Sequence, residues 1–486
     1  LRLSTFAEPG VRLIGDPAVT LSGIAVDSRT VRPGDLFAAL AGTRGDGLEH
    51  ADEALARGAV AILGDARVTA RRWPVPVLVA EDPRRALARL AARFFAAQPE
   101  TVVAVTGTNG KTSVASFVRQ LWQIAGHKAA SIGTLGVQAS TGDRPGVLTT
   151  PDPVTLHRLA AELATEGIDH LAVEASSHGL DQRRLDGLTI KAAAFTNLSR
   201  DHFDYHGSAE AYLAAKARLF EVVLPPGGVA VLNADVPEFP MLAGIARARG
   251  QEILDYGRGG TRLGLVAQTP HARGQRLDLV VEGRAATVDS GLVGAFQAWN
   301  LLAALGLALA SGIDRDVALA GLGRVVGAAG RMQLVGRSGS GAPVFVDYAH
   351  TPDALEKVLR ALRPHAPGRL WVVFGCGGDR DPGKRPLMGA VAASCADRVV
   401  VTDDNPRSED PALVREAILA ACPGALEIGD RARAIAHAIA ALEPGDLLVV
   451  AGKGHETGQI VGGTVLPFDD AAVVRAALGA ATGAAA

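Results

Sequence analysis

Cysteine is scarce in this chain: Cys376, Cys395 and Cys422 are the only three in 486 residues, and no two form a C-x-x-C pair. That pattern excludes a disulfide framework, argues against a zinc site and fits a reducing cytosol. Aromatic residues make up 4% of the sequence, so Val, Leu and Ala must fill whatever cores exist. No charge sign dominates either, with 49 Lys and Arg against 51 Asp and Glu, a net charge of −2, and no basic run of five. Nucleic acid is therefore not expected as a partner. The longest apolar run, Leu301 to Ala310, is too short to span a bilayer. The first residues, LRLSTFAEPG, hold no signal-type apolar segment. A cytoplasmic protein without membrane insertion is expected, and a monomer.

What the chain does have is apolar residues, 48% of the total, ample for several cores. Its length points to more than one domain. The most informative stretch is TVVAVTGTNGKTSVASFV, residues 101 to 118. Thr101 to Thr106 branch and alternate like a buried strand, Gly107, Thr108, Asn109 and Gly110 make a turn, and Lys111, Thr112 and Ser113 open a helix. A strand that breaks into a glycine turn and then a helix is a phosphate cradle. Backbone N–H groups and the helix N-terminus face the anion, Lys111 reaches the phosphates, and the Thr112 hydroxyl is placed for Mg²⁺. The glycine spacing is two residues shorter than the usual phosphate loop, because Val105 stands where the first glycine would be. The plain alternative is an ordinary β-to-α turn.

Around it the pattern is α/β, with apolar strands alternating with helix-period segments and no repeat at fixed period. Residues 1–98 read as a small α/β unit ending at Gln98-Pro99-Glu100, a natural linker. Residues 99–330 carry a mostly parallel sheet, with strands ending at Glu174, Thr196 and Asn233, then hairpins from Tyr256 to Gly291 and a long apolar helix from Phe296. Residues 331–486 begin a third α/β unit. Its strand running into Gly375-Cys376-Gly377-Gly378 suggests a dinucleotide turn, but the later glycine and helix start do not fit. The tail GAATGAAA is expected to fray.

Two polar clusters follow strand ends, where ligands gather in open α/β sheets. Glu174 precedes Ala-Ser-Ser-His-Gly, and a carboxylate there can share Mg²⁺ with Thr112. Thr196 to His206 then packs two His and several charged residues into one loop, a density costly to bury unless paired.

Together TGTNGKTS, VEASSHG, TNLSRDHFDYHG and the Tyr212 to Lys216 segment resemble the Mur ligases, the ATP-dependent enzymes that add amino acids to the peptidoglycan precursor. The resemblance covers nearly the whole chain. It implies a small N-terminal α/β domain, a central phosphate-loop sheet with helices, and a Rossmann-like C-terminal domain. It implies ATP as co-substrate, with Asn300, Arg331 and Asp347 joining the loop residues around the nucleotide. It implies Mg²⁺ held near Thr112, Glu174 and His202, and Lys216 carbamylated by CO₂, so that a cation becomes an anion able to position the metal. By itself a helix lysine is usually a solvated surface residue. For a UDP-linked precursor the pattern maps onto Val26, Ser28, Thr43, Arg44 and Gly45, and onto Thr149, Thr150, Ser176, Gln182 and Arg184. One departure is Gln333, where many relatives carry Glu.

Within the family VDSRTVRPGDLF, GCGGDRDPGKRPLM, DNPR and GKGHE resemble the members that add meso-diaminopimelate to UDP-N-acetylmuramoyl-L-alanyl-D-glutamate. The remote end of diaminopimelate carries a carboxylate and an ammonium, whereas lysine offers only the ammonium. Arg380 and Arg407 can grip that carboxylate through charge-assisted bonds, each worth about 1.5–3 kcal/mol. Glu456 suits the ammonium, and Asp404, Asn405, Pro406 and Gly452 complete the set. Lys111, Lys216, His202 and Glu174 are the expected catalytic residues, and the expected chemistry is amide formation through an acyl phosphate. The rivals are a folylpolyglutamate synthetase or lysine-adding ligase on the same scaffold, and a phosphate-loop ATPase that drives a partner without ligation.

Overall fold

The computed structural model describes every residue except 7, 43, 44, 147, 200, 272 and 484–486. The chain divides into two compact units, Leu1–Thr261 with Ala303–Ala318, and Arg262–Leu302 with Leu319–Ala486.

The first unit contains two sheets. Near the N-terminus a 5-stranded sheet runs in the order Val11–Ile14, Val77–Ala80, Ala61–Gly64, Asp35–Ala38, Gly23–Ala25. Only Val11–Ile14 is antiparallel to its neighbour. The strands flanking Ser28 thus pair in parallel, and Ser28–Thr30 between them is a 3-10 turn capped by Asp27. The second sheet is laid out as Gly136–Ala139, Ala129–Gly133, His170–Glu174, Thr101–Thr106, Ala192–Phe195, Val229–Asn233, Glu252–Gly257. Among these seven strands the pairings are parallel except that of Gly136–Ala139. Thr101–Thr106 sits in the middle and is buried at every position, as a parallel strand covered on both faces is. The helix Lys111–Ile124 leaves directly from the loop, with Gly110 in the left-handed region (φ 89°) as its cap.

The second unit holds an antiparallel meander, Leu263–His271, Gly274–Val281 and Arg284–Ser290, and a 6-stranded sheet. In that sheet Pro343–Asp347, Leu447–Ala451, Leu370–Phe374 and Arg398–Val401 are parallel neighbours. Their side chains alternate between two cores. Phe345, Val372, Phe374, Val401 and Val449 face one side; Val344, Val346, Val373, Val400 and Val450 face the other. The α/β class expected from the sequence is the one observed. The C-terminal helix extends over Asp470–Gly483, further into the tail than the small-residue composition suggested. Among the described residues no helix is long and apolar enough to cross a membrane.

Candidate functional site

The central sheet brings three strand ends side by side, at Thr106, Glu174 and Phe195. The turn Gly107 to Gly110 fits against the last of them so closely that a Cβ on Gly107, where φ is 142°, would lie 1.9 Å from Thr196 Oγ1. Thr196 Oγ1 donates to Asn109 O (2.6 Å), and Asn197 Oδ1 accepts from Asn109 N (3.0 Å). The neighbouring strand therefore shapes the cradle that the two missing residues would otherwise help to form. Lys111 Nζ donates to the carbonyls of Gly107 and Thr108, both at 2.9 Å, folding the lysine over its own loop. Ser113 is buried one residue into the helix after Thr112.

Glu174 is 2% exposed and is held on both oxygens. Thr112 Oγ1 donates to its Oε2 (2.9 Å) and the Thr134 N–H to its Oε1 (2.9 Å). Gly133 must lack a side chain, because a Cβ there would stand 2.0 Å from Glu174 Oε1. Mg²⁺ takes hard oxygen donors, one or two carboxylates with phosphate oxygens completing the shell. A hydroxyl and a carboxylate 2.9 Å apart beside a phosphate cradle fit that ion. Thr134 was not singled out by the sequence, since nothing marks a lone threonine after a short strand as a carboxylate clamp.

Lys216 projects from the helix Ala209–Arg218 and is 1% exposed. Its Nζ donates to Gly107 O (2.7 Å) and lies 4.4 Å from the centre of the Tyr212 ring. Burial, then the Lys111 ammonium, push its pKa well below the ordinary lysine value. Tyr212 also shares a hydrogen bond with Thr108 Oγ1 (3.1 Å), and burial pushes its hydroxyl up to about 12. His202 is placed differently. Its backbone is left-handed (φ 53°), its side chain is 46% exposed, and its ring meets the edge of His178 at 4.9 Å. It belongs to a ring cluster with His178, Tyr205, His206 and Tyr212, while Thr112 and Glu174 pair with each other.

Five residues assigned to the sugar-peptide do come together beside Glu174. Thr150 Oγ1 donates to Glu174 O (2.6 Å), and Thr149 Oγ1 is 3.0 Å from Thr134 Oγ1. Ser176 N donates to Thr150 Oγ1 (3.0 Å), and Arg184 donates to Thr150 O (2.5 Å) and Gln182 Oε1 (2.7 Å). In the loops beside the N-terminal sheet Ser28 Oγ donates to Glu53 Oε2 (2.7 Å), while Val26 and Gly45 are exposed. Thr43 and Arg44 lie outside the described residues.

The second unit gathers the remaining assignments. Asp347 ends the strand Pro343–Asp347, and its carboxylate accepts from Met332 N (2.7 Å) and Ala349 N (2.8 Å). Burial raises its pKa, against the pull of those N–H groups and of Arg331. The Arg331 guanidinium lies 4.7 Å from the centre of the Tyr348 ring. Asn300 is buried, with its amide donating to Gln297 (2.9 Å).

At the ends of Leu370–Phe374, Arg398–Val401 and Leu447–Ala451 stand the residues assigned to diaminopimelate. A Cβ on Gly377 would lie 2.7 Å from Arg407 Nη1 and 3.7 Å from Arg380 Cγ, so the two arginines flank one glycine. Arg407 has φ 53° and donates to Gly378 O (2.7 Å). The carbonyl of Pro406 would stand 1.9 Å from a Cβ on Gly378. Gly452, with φ 113°, leaves room for the Asp404 carboxylate, 2.6 Å from where its Cβ would be. Asn405 Nδ2 donates to Glu456 Oε2 (2.9 Å). Lys453, passed over in the sequence although it lies inside GKGHE, is 0% exposed and donates to Asn405 Oδ1 (2.9 Å) and Glu456 Oε2 (3.0 Å). Burial works to raise the Glu456 pKa, but the Asn405 bond and the Lys453 charge prevail and lower it.

Three family models match in order along the chain: "Mur ligase family, catalytic domain" over residues 20–95, "Mur ligase middle domain" over 105–308, and "Mur ligase, glutamate ligase domain" over 330–454. The UDP-N-acetylmuramoyl-L-alanyl-D-glutamate–2,6-diaminopimelate ligase of Agrobacterium fabrum is 55% identical over 461 residues, 95% of this chain and 94% of that protein. The ligase of the same name from Bradyrhizobium diazoefficiens is 54% identical over 465 residues, 95% of each chain. A solved structure of a ligase of that name matches with a TM-score of 0.73 at 35% identity, covering 99% of both chains. The chain belongs to the Mur ligase family.

Proposed function

We propose that this chain is an ATP-dependent ligase that adds meso-diaminopimelate to UDP-N-acetylmuramoyl-L-alanyl-D-glutamate in peptidoglycan precursor synthesis. The observation that carries this reading is the near-full-length identity to ligases named for that reaction. The geometry of both sheet ends supports it.

Residues 1–98 take the UDP end of the precursor, 99–330 the ATP, and 331–486 the amino acid. The side-chain carboxylate of the D-glutamate attacks the γ-phosphorus of ATP, the bond to the bridging oxygen breaks, and ADP leaves. Lys111 and the N–H groups of the turn hold the phosphates in line, as expected for a transfer driven by positioning. Thr112 and Glu174, with His202 and carbamylated Lys216, would hold Mg²⁺, which when bound supplies positive charge to the phosphate oxygens. Arg184 and its Thr150, Ser176 and Gln182 partners orient the peptide carboxylate. Asn300, Arg331 and Asp347 hold the nucleoside side of ATP. The amine of diaminopimelate then attacks the acyl phosphate carbon, loses a proton, and inorganic phosphate departs. Arg380 and Arg407 hold the distal carboxylate, and Glu456, aimed by Asn405 and Lys453, takes the distal ammonium.

Phosphate release tests the reading. With ATP and the UDP-dipeptide, meso-diaminopimelate should trigger release, whereas lysine and glutamate should not. Release without any amino acid would favour an uncoupled ATPase, and equal release with lysine would remove the role given to the arginines.

A further inference from the structure

The strand His170–Glu174 and the helix Lys111–Ile124 each have a second end, away from the phosphate loop. There His127, Asp169 and His170 converge. Among the described residues they are the one group of three such side chains whose donor atoms all lie within 4.8 Å of one another. We propose that these residues bind a transition-metal dication of the Zn²⁺, Ni²⁺ or Cu²⁺ class, at a site separate from the phosphate-loop chemistry. The helix alone, 14 residues long, puts about 20 Å between its two ends.

The site is built from the backbone outward. The helix ends in a left-handed Gly126 (φ 95°), and His127 N then reaches back to Trp122 O (2.9 Å), a closure that fixes where His127 leaves the helix. The amides of Asp169 and His170 both donate to Lys128 O, at 3.0 and 3.3 Å, clipping the two segments together. The His170 ring is packed between Trp122 (5.0 Å) and His127 (4.1 Å), which fixes its orientation.

The donor spacing suits an ion. His170 Nδ1 is 2.7 Å from Asp169 Oδ1, and His127 Nδ1 is 3.7 Å from Asp169 Oδ2. Tetrahedral ligands about 2.0–2.2 Å from a metal stand roughly 3.3–3.6 Å apart, between those two values. The His170 Nδ1 proton, now shared with Asp169, moves to Nε2 when the ion takes its place. Burial favours the neutral His170 ring, the form that carries a free lone pair. Imidazoles with one carboxylate select this metal class over Mg²⁺. The side chains of His127 and Asp169 are 38% and 41% exposed, so water can complete the shell. Lys128 and Lys191 are the cations nearby, and Lys191 is turned toward Ser311 O (3.2 Å).

The rival reading is a plain Asp–His hydrogen bond beneath stacked rings. Titration of the tag-free full-length chain with Co²⁺, followed by visible absorption, and with Zn²⁺, followed by calorimetry, separates the two. One equivalent should bind with the absorption of a four- or five-coordinate ion. His127→Ala and Asp169→Asn should each weaken binding by at least about tenfold, and Zn²⁺ should raise Tm in the parent but not in His127→Ala. Both changes fall on half-exposed side chains, so folding and ligase turnover should persist. No bound Co²⁺, or affinity unchanged in His127→Ala with the ion lodged instead at His178, His202 and His206, would overturn the site.

Discussion

Lys216 and Lys453 are both withdrawn from water, 1% and 0% exposed, and each stands near the carboxyl end of a parallel sheet. They are held in opposite ways. Lys216 gives its Nζ to the carbonyl of Gly107 (2.7 Å), with the Lys111 ammonium acting against its charge. Lys453 meets a carboxylate, Glu456, at 3.0 Å. A buried cation with no carboxylate in contact is penalised, which shifts Lys216 toward the neutral amine against the weaker pull of Asp201. A buried cation beside a carboxylate makes a neutral pair, and its hydrogen bonds can be spent on aiming the partner. The first arrangement favours the neutral amine, the form that the proposed reaction with CO₂ requires; the second fixes the carboxylate proposed above for the ligand's ammonium. In the reading proposed above, the same residue type would serve modification in one unit and positioning in the other.

Replacing each lysine tests that contrast most sharply. Lys216→Ala should lower kcat by on the order of 10²–10³, the scale of losing one charge-positioning group, with the KM for diaminopimelate little changed. Steady-state kinetics showing wild-type kcat would break the comparison. At the other sheet end Arg407→Ala should cost roughly 10- to 100-fold in kcat/KM for meso-diaminopimelate and leave ATP binding intact, as nucleotide titration would report.

Lys453→Met should act on both stability and KM. Breaking a buried pair costs about 3–5 kcal/mol when one charge is stranded, but the Glu456 side chain is 35% exposed, so about 2–3 kcal/mol is expected in urea unfolding. Adding Glu456→Gln to that variant should recover part of the loss, and additive losses would show that the two do not act as a pair.

The smallest effect concerns pH. The folded-state pKa of Lys216 lies below that of the unfolded chain. Its penalty on stability is therefore absent above about pH 10.4, where the amine is neutral in both states. It grows as pH falls from there to the folded value, and is constant below. Lys216→Met should flatten the rise of stability with pH across that alkaline window. At fixed CO₂ pressure, carbamylation and turnover in the parent should increase with pH, and purging CO₂ should reduce turnover. Indifference to CO₂ would leave Lys216 a lysine like any other.

Much of this was legible in the sequence because the signals were local. Thr101–Thr106 and the helix from Lys111 fall where the apolar run and the glycine turn placed them, and the strand ends at Glu174 and Asp347 were readable as carboxylates closing apolar runs. What stayed hidden depends on partners distant in the chain. Thr134 clamps Glu174 across 40 residues, and Lys453 reaches Asn405 across 48; neither bears a local mark. Parallel pairing of Gly23–Ala25 with Asp35–Ala38 was equally invisible, since so short a connection ordinarily joins antiparallel strands. Gly107 and Gly377 read as parts of glycine turns and Gly133 carried no mark, whereas each makes room for one particular neighbouring side chain.

Arg407 keeps a left-handed backbone, φ 53°, although it is not a glycine, and such a conformation costs about 1–3 kcal/mol. Glycine would relieve that cost and discard the guanidinium. Under the role proposed for Arg407, transplanting diaminopimelate selectivity onto a lysine-adding scaffold would require carrying over the bend, with the Ile460 carbonyl that accepts from Arg407 N at 3.0 Å. An arginine grafted onto an extended backbone would point its charge elsewhere.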